Sequence, residues 1–280
     1  MLKIFKKSCA FVAAAILLIN ITCVFGAGAT YERNSRYSGY GEYDGITPYA
    51  TEISRETINY TRSEEEYIET KNGVPMYTNT ANLSNSCGAI GGAIVVGFYD
   101  KYYENLIPGY TSYISTGRYK NSDSIYVPQL MRDLYTLMRT NVDDVGVSES
   151  DCIEGLKQYV KGKGYSIQLN SIRSGSVVDE TLFRSSINNN QPVLLFCDRT
   201  DVYTIGTGAN YDLVVCNNIT TSGHIVVAYG LYIVKYYNGN TLFRTDKYLR
   251  VATGLSTIKE NYLRLESTNW CNGAYSVAVN

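Results

Sequence analysis

Five successive segments rich in β-branched and aromatic residues occupy the last part of the chain. Such residues favour strands, because branched and aromatic side chains pack well on a pleated, half-buried surface. The predicted strands cover residues 212–216, 224–237, 241–253, 262–265 and 275–279. This series predicts an antiparallel sheet in the second half of the chain.

In the first half of the chain, apolar residues recur with the period of a helix. From Cys87 onward, apolar residues recur at the spacing of a helix, as shown by Ile90, Ile94 and Phe98. Further helices are predicted over 125–141, 149–161 and 179–188, and two earlier strands over 165–169 and 192–197. Helices followed by an antiparallel sheet indicate the α+β class.

The first 29 residues have the pattern of an export signal. Lys3, Lys6 and Lys7 precede an apolar run over 10–19, and the small residues at 27–29 suit a cleavage site. The apolar run is too short for a stable membrane span. We therefore expect a secreted or cell-envelope protein with no integral membrane span after signal removal. Lipid attachment at Cys23 is the weaker alternative.

The rest of the chain divides into two parts. Residues 30–70 are polar and weakly patterned, which is typical of a linker or a pro-segment, and the sequence does not separate the two. Residues 71–280 carry the helices and strands and form the predicted packed domain. We expect this domain to be a monomer.

Charge and cysteine content exclude several classes of protein. Loss of three lysines with the signal leaves 22 of the 25 basic residues against 26 acidic ones, a net charge of −4. This balance argues against a nucleic-acid partner. A single histidine leaves a zinc site short of ligands, so neither a metal nor another cofactor is expected.

The mature chain would keep five cysteines, and an odd count leaves at least one thiol outside any intramolecular disulfide. Cys197 and Cys216 end apolar runs, so they are either packing residues or a disulfide pair.

Cys87 is the candidate nucleophile. It lies at the start of the first predicted helix, where free N–H groups and the helix dipole stabilise a thiolate. The alternative is a buried cysteine that only packs.

His224 is the candidate base. It is the one histidine of the chain and opens a predicted apolar strand after Gly223. Imidazole is the usual base for a cysteine nucleophile, because its pKa allows proton exchange near neutrality. The alternative is a structural histidine at a strand end.

The hairpin after this strand predicts the group that orients the base. Asn238-Gly239 is a strong two-residue turn signal, and a turn there places Thr253 opposite His224. The threonine hydroxyl can accept a hydrogen bond from the ring but carries no charge to stabilise an imidazolium. For the oxyanion, we expect the backbone N–H of Cys87 and the side-chain amide of Asn82, with Asn85 as the alternative.

Three stretches resemble bacterial C39-like cysteine peptidases, which are papain-like. They are NSCGAIGGAIVVGFYDKYYENLIPGY around Cys87, SSINNNQPVLLF with GHIVVAYG around His224, and YLRVATG around Thr253. The resemblance covers roughly residues 74–280. It implies a papain-like fold with a helical N-terminal lobe and an antiparallel β-sheet C-terminal lobe. The sequence departs from the family at Thr253, where an acidic residue is expected, and no glutamine precedes Cys87 at the papain-like spacing.

The resemblance and the residues together predict a cysteine-type peptidase. A Cys–His thioester mechanism would hydrolyse peptide or isopeptide bonds in a peptide or protein substrate. A transglutaminase-like acyltransferase uses the same order of cysteine and histidine. A catalytically weakened surface binding protein is the alternative outside the enzymes.

Overall fold

The computed structural model describes residues 51–110, 125–220, 222–257 and 260–280. The predicted signal at 1–29 and the first part of the 30–70 segment lie outside the described residues. Four α-helices are described, α1 to α4, which are Cys87–Asp100, Tyr126–Leu137, Glu149–Gly162 and Glu180–Asn188. Two short 3-10 helices cover Glu104–Leu106 and Leu265–Trp270.

Twelve strands are described in the same part of the chain. Strands β1 to β6 are Thr51–Asn59, Arg62–Glu69, Ile167–Ser171, Arg173–Ser174, Val177–Val178 and Val193–Cys197. Strands β7 to β12 are Thr200–Thr207, Tyr211–Thr220, His224–Asn238, Thr241–Ala252, Asn261–Arg264 and Cys271–Val279. Ten of them form one sheet, and β4 and β5 pair separately.

The long strand β9 organises the large sheet. The order is β1-β8-β7-β11-β10-β9-β6-β12-β3, and β2 also pairs with β9. One edge of β9 pairs with β10, whereas the other pairs with β6 near its start and with β2 over the rest. Every recorded pairing in the sheet is antiparallel.

The helices cover both faces of this sheet. Helices α1, α2 and α3 share one apolar cluster with Ile225 and Val227 of β9. Helix α4 packs on the opposite face, in a cluster that contains Val226 and Ala228. Alternate residues of β9 thus enter different clusters, as the two-residue period of a strand requires. All 14 residues of α1 are buried, which fits a helix with small and apolar residues on every side.

The predicted papain-like layout of a helical lobe and a separate sheet lobe is wrong. The structure is mostly antiparallel β-sheet, with 43% strand and 26% helix. Two physical reasons account for the difference. Helix α1 packs directly against the sheet, and strands from the polar segment before residue 70 join the same sheet.

Strands β1 and β2 arise within the segment predicted as a linker or pro-segment. They pair with β8 and β9, but most of their side chains remain exposed. Their sequences, TEISRETIN and RSEEEYIE, are too polar to signal strands by hydrophobic alternation. Whether this segment is removed during maturation stays a prediction.

No helix in the described ranges is both long and apolar enough to cross a membrane.

Candidate functional site

Cys87 is the first residue of α1 and is only 1% exposed. The residue before it, Ser86, is the N-cap, and its hydroxyl oxygen is buried without a hydrogen-bond partner among the described residues. The predicted helix start at the cysteine is therefore observed. The Cys87 thiol lies at the positive end of the helix dipole, which favours its anionic form.

Glycines allow α1 to approach the start of β9 closely. A Cβ added at Gly91 would lie 3.1 Å from Cγ2 of Ile225, the residue after His224. Gly254 follows the neighbouring strand β10 and has a φ of +76°. A Cβ there would lie 2.9 Å from Cγ2 of Ile90. The first turns of α1 therefore lie against the beginning of β9 and the end of β10.

His224 is the first residue of β9 and is 1% exposed. Its Nε2 lies 2.8 Å from the carbonyl oxygen of Thr253. A carbonyl oxygen can only accept a hydrogen bond, so Nε2 carries the proton, and Nδ1 of the neutral ring keeps its lone pair. Burial lowers the pKa of His224 to about 4, and the hydrogen bond to Thr253 opposes this shift only in part. The ring is therefore neutral at pH 7.

Thr253 contacts His224, as predicted. The contact is made by another group of the threonine than its hydroxyl, and β9 and β10 pair in a different register from the predicted one. The hairpin turn comprises Gly239 and Asn240, one residue later than predicted, and two irregularities interrupt the ladder. The last recorded pair is Ala252 with Val227, a register that would place Thr253 opposite Val226 rather than His224. The contact uses the backbone carbonyl, while the hydroxyl accepts from the N–H of Leu255 at 3.3 Å.

Cys197 is a neighbour of His224 in the sheet. It is directly opposite His224 in the pairing of β6 with β9. Burial is the main cause that raises the pKa of the Cys197 thiol well above its ordinary value. Cys271 raises the pKa further, and Cys87 does so to a smaller extent.

Cys87 and His224 approach this end of the sheet from different sides. Cys87 belongs to the cluster on the α1 face. Alternation along β9 assigns His224 to the face of Val226, where Cys197 also packs against α4. The two candidate side chains are therefore assigned to opposite faces of the sheet at the start of β9.

The two candidate oxyanion donors have different environments. Asn82 is exposed, with a left-handed φ of 54°, five residues before the nucleophile. Asn85 is buried, and its amide nitrogen donates to Oδ1 of Asn141 at 2.8 Å. Asn85 therefore anchors the loop before α1. The role of Asn82 stays a prediction.

Sequence reasoning missed Cys197 and Cys271 as neighbours of the site. Cys197 was grouped with Cys216, whereas the structure pairs it with Cys271 at the start of β12. The sequence shows only that Cys197 ends an apolar strand. It does not show which strand lies next to it, because the order of strands in a sheet cannot be read from spacing.

The described ranges contain no group of three or more histidine, cysteine, aspartate or glutamate residues that could hold a metal ion. No protein-family model matches the chain, and no curated protein matches it. The relation to C39-like cysteine peptidases consequently rests on the motifs around Cys87 and His224, and it stays a prediction.

Proposed function

We propose that this protein hydrolyses peptide or isopeptide bonds through a thioester on Cys87, with His224 as general base. The observation that carries the proposal is the hydrogen bond from His224 Nε2 to the Thr253 carbonyl. It leaves Nδ1 as the basic nitrogen of the ring. His224 opens β9, and the next residue, Ile225, lies against Gly91 of α1. The likeness of both motifs to C39-like peptidases points the same way.

The reaction would proceed through two acyl-transfer steps. His224 Nδ1 takes the proton of the Cys87 thiol as the sulfur attacks the substrate carbonyl, and the imidazolium returns that proton to the leaving amine when the C–N bond breaks. A water molecule, deprotonated by the same ring, then attacks the thioester and releases the acid. The dipole of α1 would stabilise the negative charge that develops on the sulfur as the thiol loses its proton.

The resting site would be a neutral pair rather than a thiolate and an imidazolium. The pKa of His224, at about 4, keeps the ring unprotonated over the neutral range. Proton transfer from sulfur to nitrogen then belongs to the attack itself, and both groups are 1% exposed. Substrate entry therefore requires the segments around Cys87 or His224 to move. Direct proton transfer requires the same movement, because the two side chains are assigned to opposite faces of the sheet.

A turnover assay with matched variants tests this function. The wild type, Cys87→Ala, His224→Gln and Cys152→Ala would be compared on casein and on cell-wall peptides. Cys152 is the control, because it is a buried thiol in α3 that packs in the same cluster as Cys87. We expect cleavage by the wild type and Cys152→Ala, and losses of at least about 10³-fold in the other two. Retained cleavage by Cys87→Ala would exclude the mechanism. An added primary amine that appears in the product would indicate acyl transfer instead of hydrolysis.

One observation favours a second function, a surface binding protein without turnover. Cys87 and His224 are both buried and approach from opposite faces, an arrangement that also suits two packing residues. Binding without cleavage distinguishes this case. If the wild type and Cys87→Ala bind the same peptide with equal affinity and neither cleaves it, the protein is a binder.

A further inference from the structure

Two cysteines face each other on neighbouring strands next to the candidate site. Cys197 ends β6 and Cys271 begins β12, and the antiparallel register makes them direct partners. Both side chains enter the apolar cluster on the α4 face, so they leave the sheet on the same side. Each is at most 1% exposed.

Both cysteines are free thiols in the structure. Cys271 Sγ donates to the carbonyl oxygen of Gly273 at 3.0 Å, and the proximity of Cys271 helps to raise the pKa of the Cys197 thiol. Directly opposed residues of an antiparallel pair have Cα atoms about 4.5–5.5 Å apart. A disulfide requires Cα atoms about 4.4–6.8 Å apart, a range that includes such pairs. The pair of Cys197 and Cys271 lies next to an irregularity of the ladder between Cys271 and Gly273.

The remaining cysteines of the described ranges are poorer partners for Cys197. Cys216 lies on β8, where it pairs with Tyr203 of β7. Cys152 belongs to α3 on the other face of the sheet. Cys87 influences Cys197 less than Cys271 does, and only through electrostatics. The geometry therefore selects one pair among the five cysteines.

We propose that Cys197 and Cys271 form a disulfide when the chain folds in an oxidising environment. Each thiol loses one proton and one electron to a low-molecular-weight disulfide such as oxidised glutathione, which is reduced to two thiols as the S–S bond forms. Exchange proceeds through thiolates, and burial suppresses the Cys197 thiolate in the folded protein. The bond therefore forms during folding, as β6 and β12 pair and before the two sulfurs are buried.

The disulfide would involve the cysteine that lies opposite His224 in the sheet and would leave the candidate nucleophile reduced. Three of the five cysteines, Cys87, Cys152 and Cys216, then remain as thiols. The disulfide does not depend on the proposed peptidase activity.

Peptide mapping of the chain without its predicted signal, which contains Cys9 and Cys23, tests the proposal without any variant. The denatured and reduced protein is refolded in a buffer of reduced and oxidised glutathione, alkylated with iodoacetamide and digested with trypsin without reduction. Cleavage after lysine and arginine separates the five cysteines, with Cys197 in peptide 185–199 and Cys271 in peptide 265–280. Cys87, Cys152 and Cys216 fall in peptides 72–101, 140–157 and 200–235.

We expect a species that joins 185–199 to 265–280, disappears on reduction and accounts for most of both peptides. In Cys271→Ser, the 185–199 peptide should instead carry the alkyl group, and Cys216→Ser should leave the linked species unchanged. Recovery of both wild-type peptides in alkylated form, or a dominant link from Cys197 to any other cysteine, would overturn the proposal. Loss of peptidase activity has no bearing on this result, so the two proposals fail separately.

Discussion

The Nε2 atom of His224 lies 2.8 Å from the backbone carbonyl oxygen of Thr253. The orientation of the ring therefore depends on the main chain after β10 rather than on a side chain. A carbonyl dipole fixes the tautomer as an acidic orienter would, but it supplies no charge to stabilise an imidazolium. Burial keeps the histidine neutral, because the hydrogen bond to Thr253 offsets the lowered pKa only in part.

Replacement of the Thr253 hydroxyl should have little effect on the histidine. In Thr253→Val the carbonyl that accepts from His224 remains, and only the 3.3 Å hydrogen bond from the Leu255 N–H is lost. We expect a destabilisation of about 0.5–1 kcal/mol and a change of less than about threefold in the alkylation rate of Cys87 by iodoacetamide. Thr253→Ser, which keeps the hydroxyl, is the control. A tenfold lower rate in Thr253→Val alone would assign the orienting role to the hydroxyl.

The buried histidine should make stability depend on pH between about 4 and 6.5. Its pKa falls from 6.5 in the unfolded chain to about 4 in the folded protein, so the unfolded chain binds more protons in this window. Folding stability from this group is complete above pH 6.5, decreases as the pH falls and is lost below pH 4. The shift corresponds to about 3 kcal/mol. Urea unfolding at several pH values measures it.

His224→Gln provides the control for that measurement, since glutamine does not titrate. The free energies of unfolding of the wild type and the variant should draw together by about 3 kcal/mol from pH 7 to pH 4. Parallel curves would mean that His224 is accessible to protons in the folded protein.

The sequence predicted most elements after residue 87 because their patterns are strong. Helix α1 begins at the predicted cysteine, and β9 and β10 match their predicted segments within one residue. Strand β9 is largely buried, and the buried residues of β10 lie in its second half, so their apolar residues identified both strands. Strands β1 and β2 were not predicted, because they are exposed and charged and show no hydrophobic pattern. They belong to the sheet through their pairing with β8 and β9.

The site was predictable only in part. Cys87 and His224 could be named from residue type and local position, whereas the contact between His224 and Thr253 was inferred from a register that the irregularities of the hairpin alter. The pair of Cys197 and Cys271 depends on β12 lying next to β6, an arrangement of distant segments. Strand order arises from the packing of the whole sheet, so no local pattern contains it.

Two glycines of α3 should respond in opposite ways to the same substitution. A Cβ at Gly155 would lie 2.6 Å from the backbone nitrogen of Met138, and one at Gly162 would meet nothing within 4 Å. We expect Gly155→Ala to destabilise the protein by about 1–3 kcal/mol through overpacking. Gly162→Ala should be neutral or stabilise it by up to about 1 kcal/mol, because alanine restricts the unfolded chain. Thermal unfolding of both variants measures the effects, and equal melting temperatures would contradict the close contact between α2 and α3.

The β1–β2 connection should contribute to the stability of the large sheet through one buried carboxyl group. Asp212 of β8 is fully buried and accepts hydrogen bonds from the hydroxyls of Tyr60 at 3.1 Å and Tyr236 at 2.9 Å. Tyr60→Phe leaves one donor where two were present, at a cost of about 1–3 kcal/mol. Tyr211→Phe alters an exposed tyrosine of the same strand and should change stability by less than about 0.5 kcal/mol. Urea denaturation compares the two variants. Equal midpoints would show that the segment before residue 70 unfolds independently of the sheet, which is the behaviour expected of a removable pro-segment.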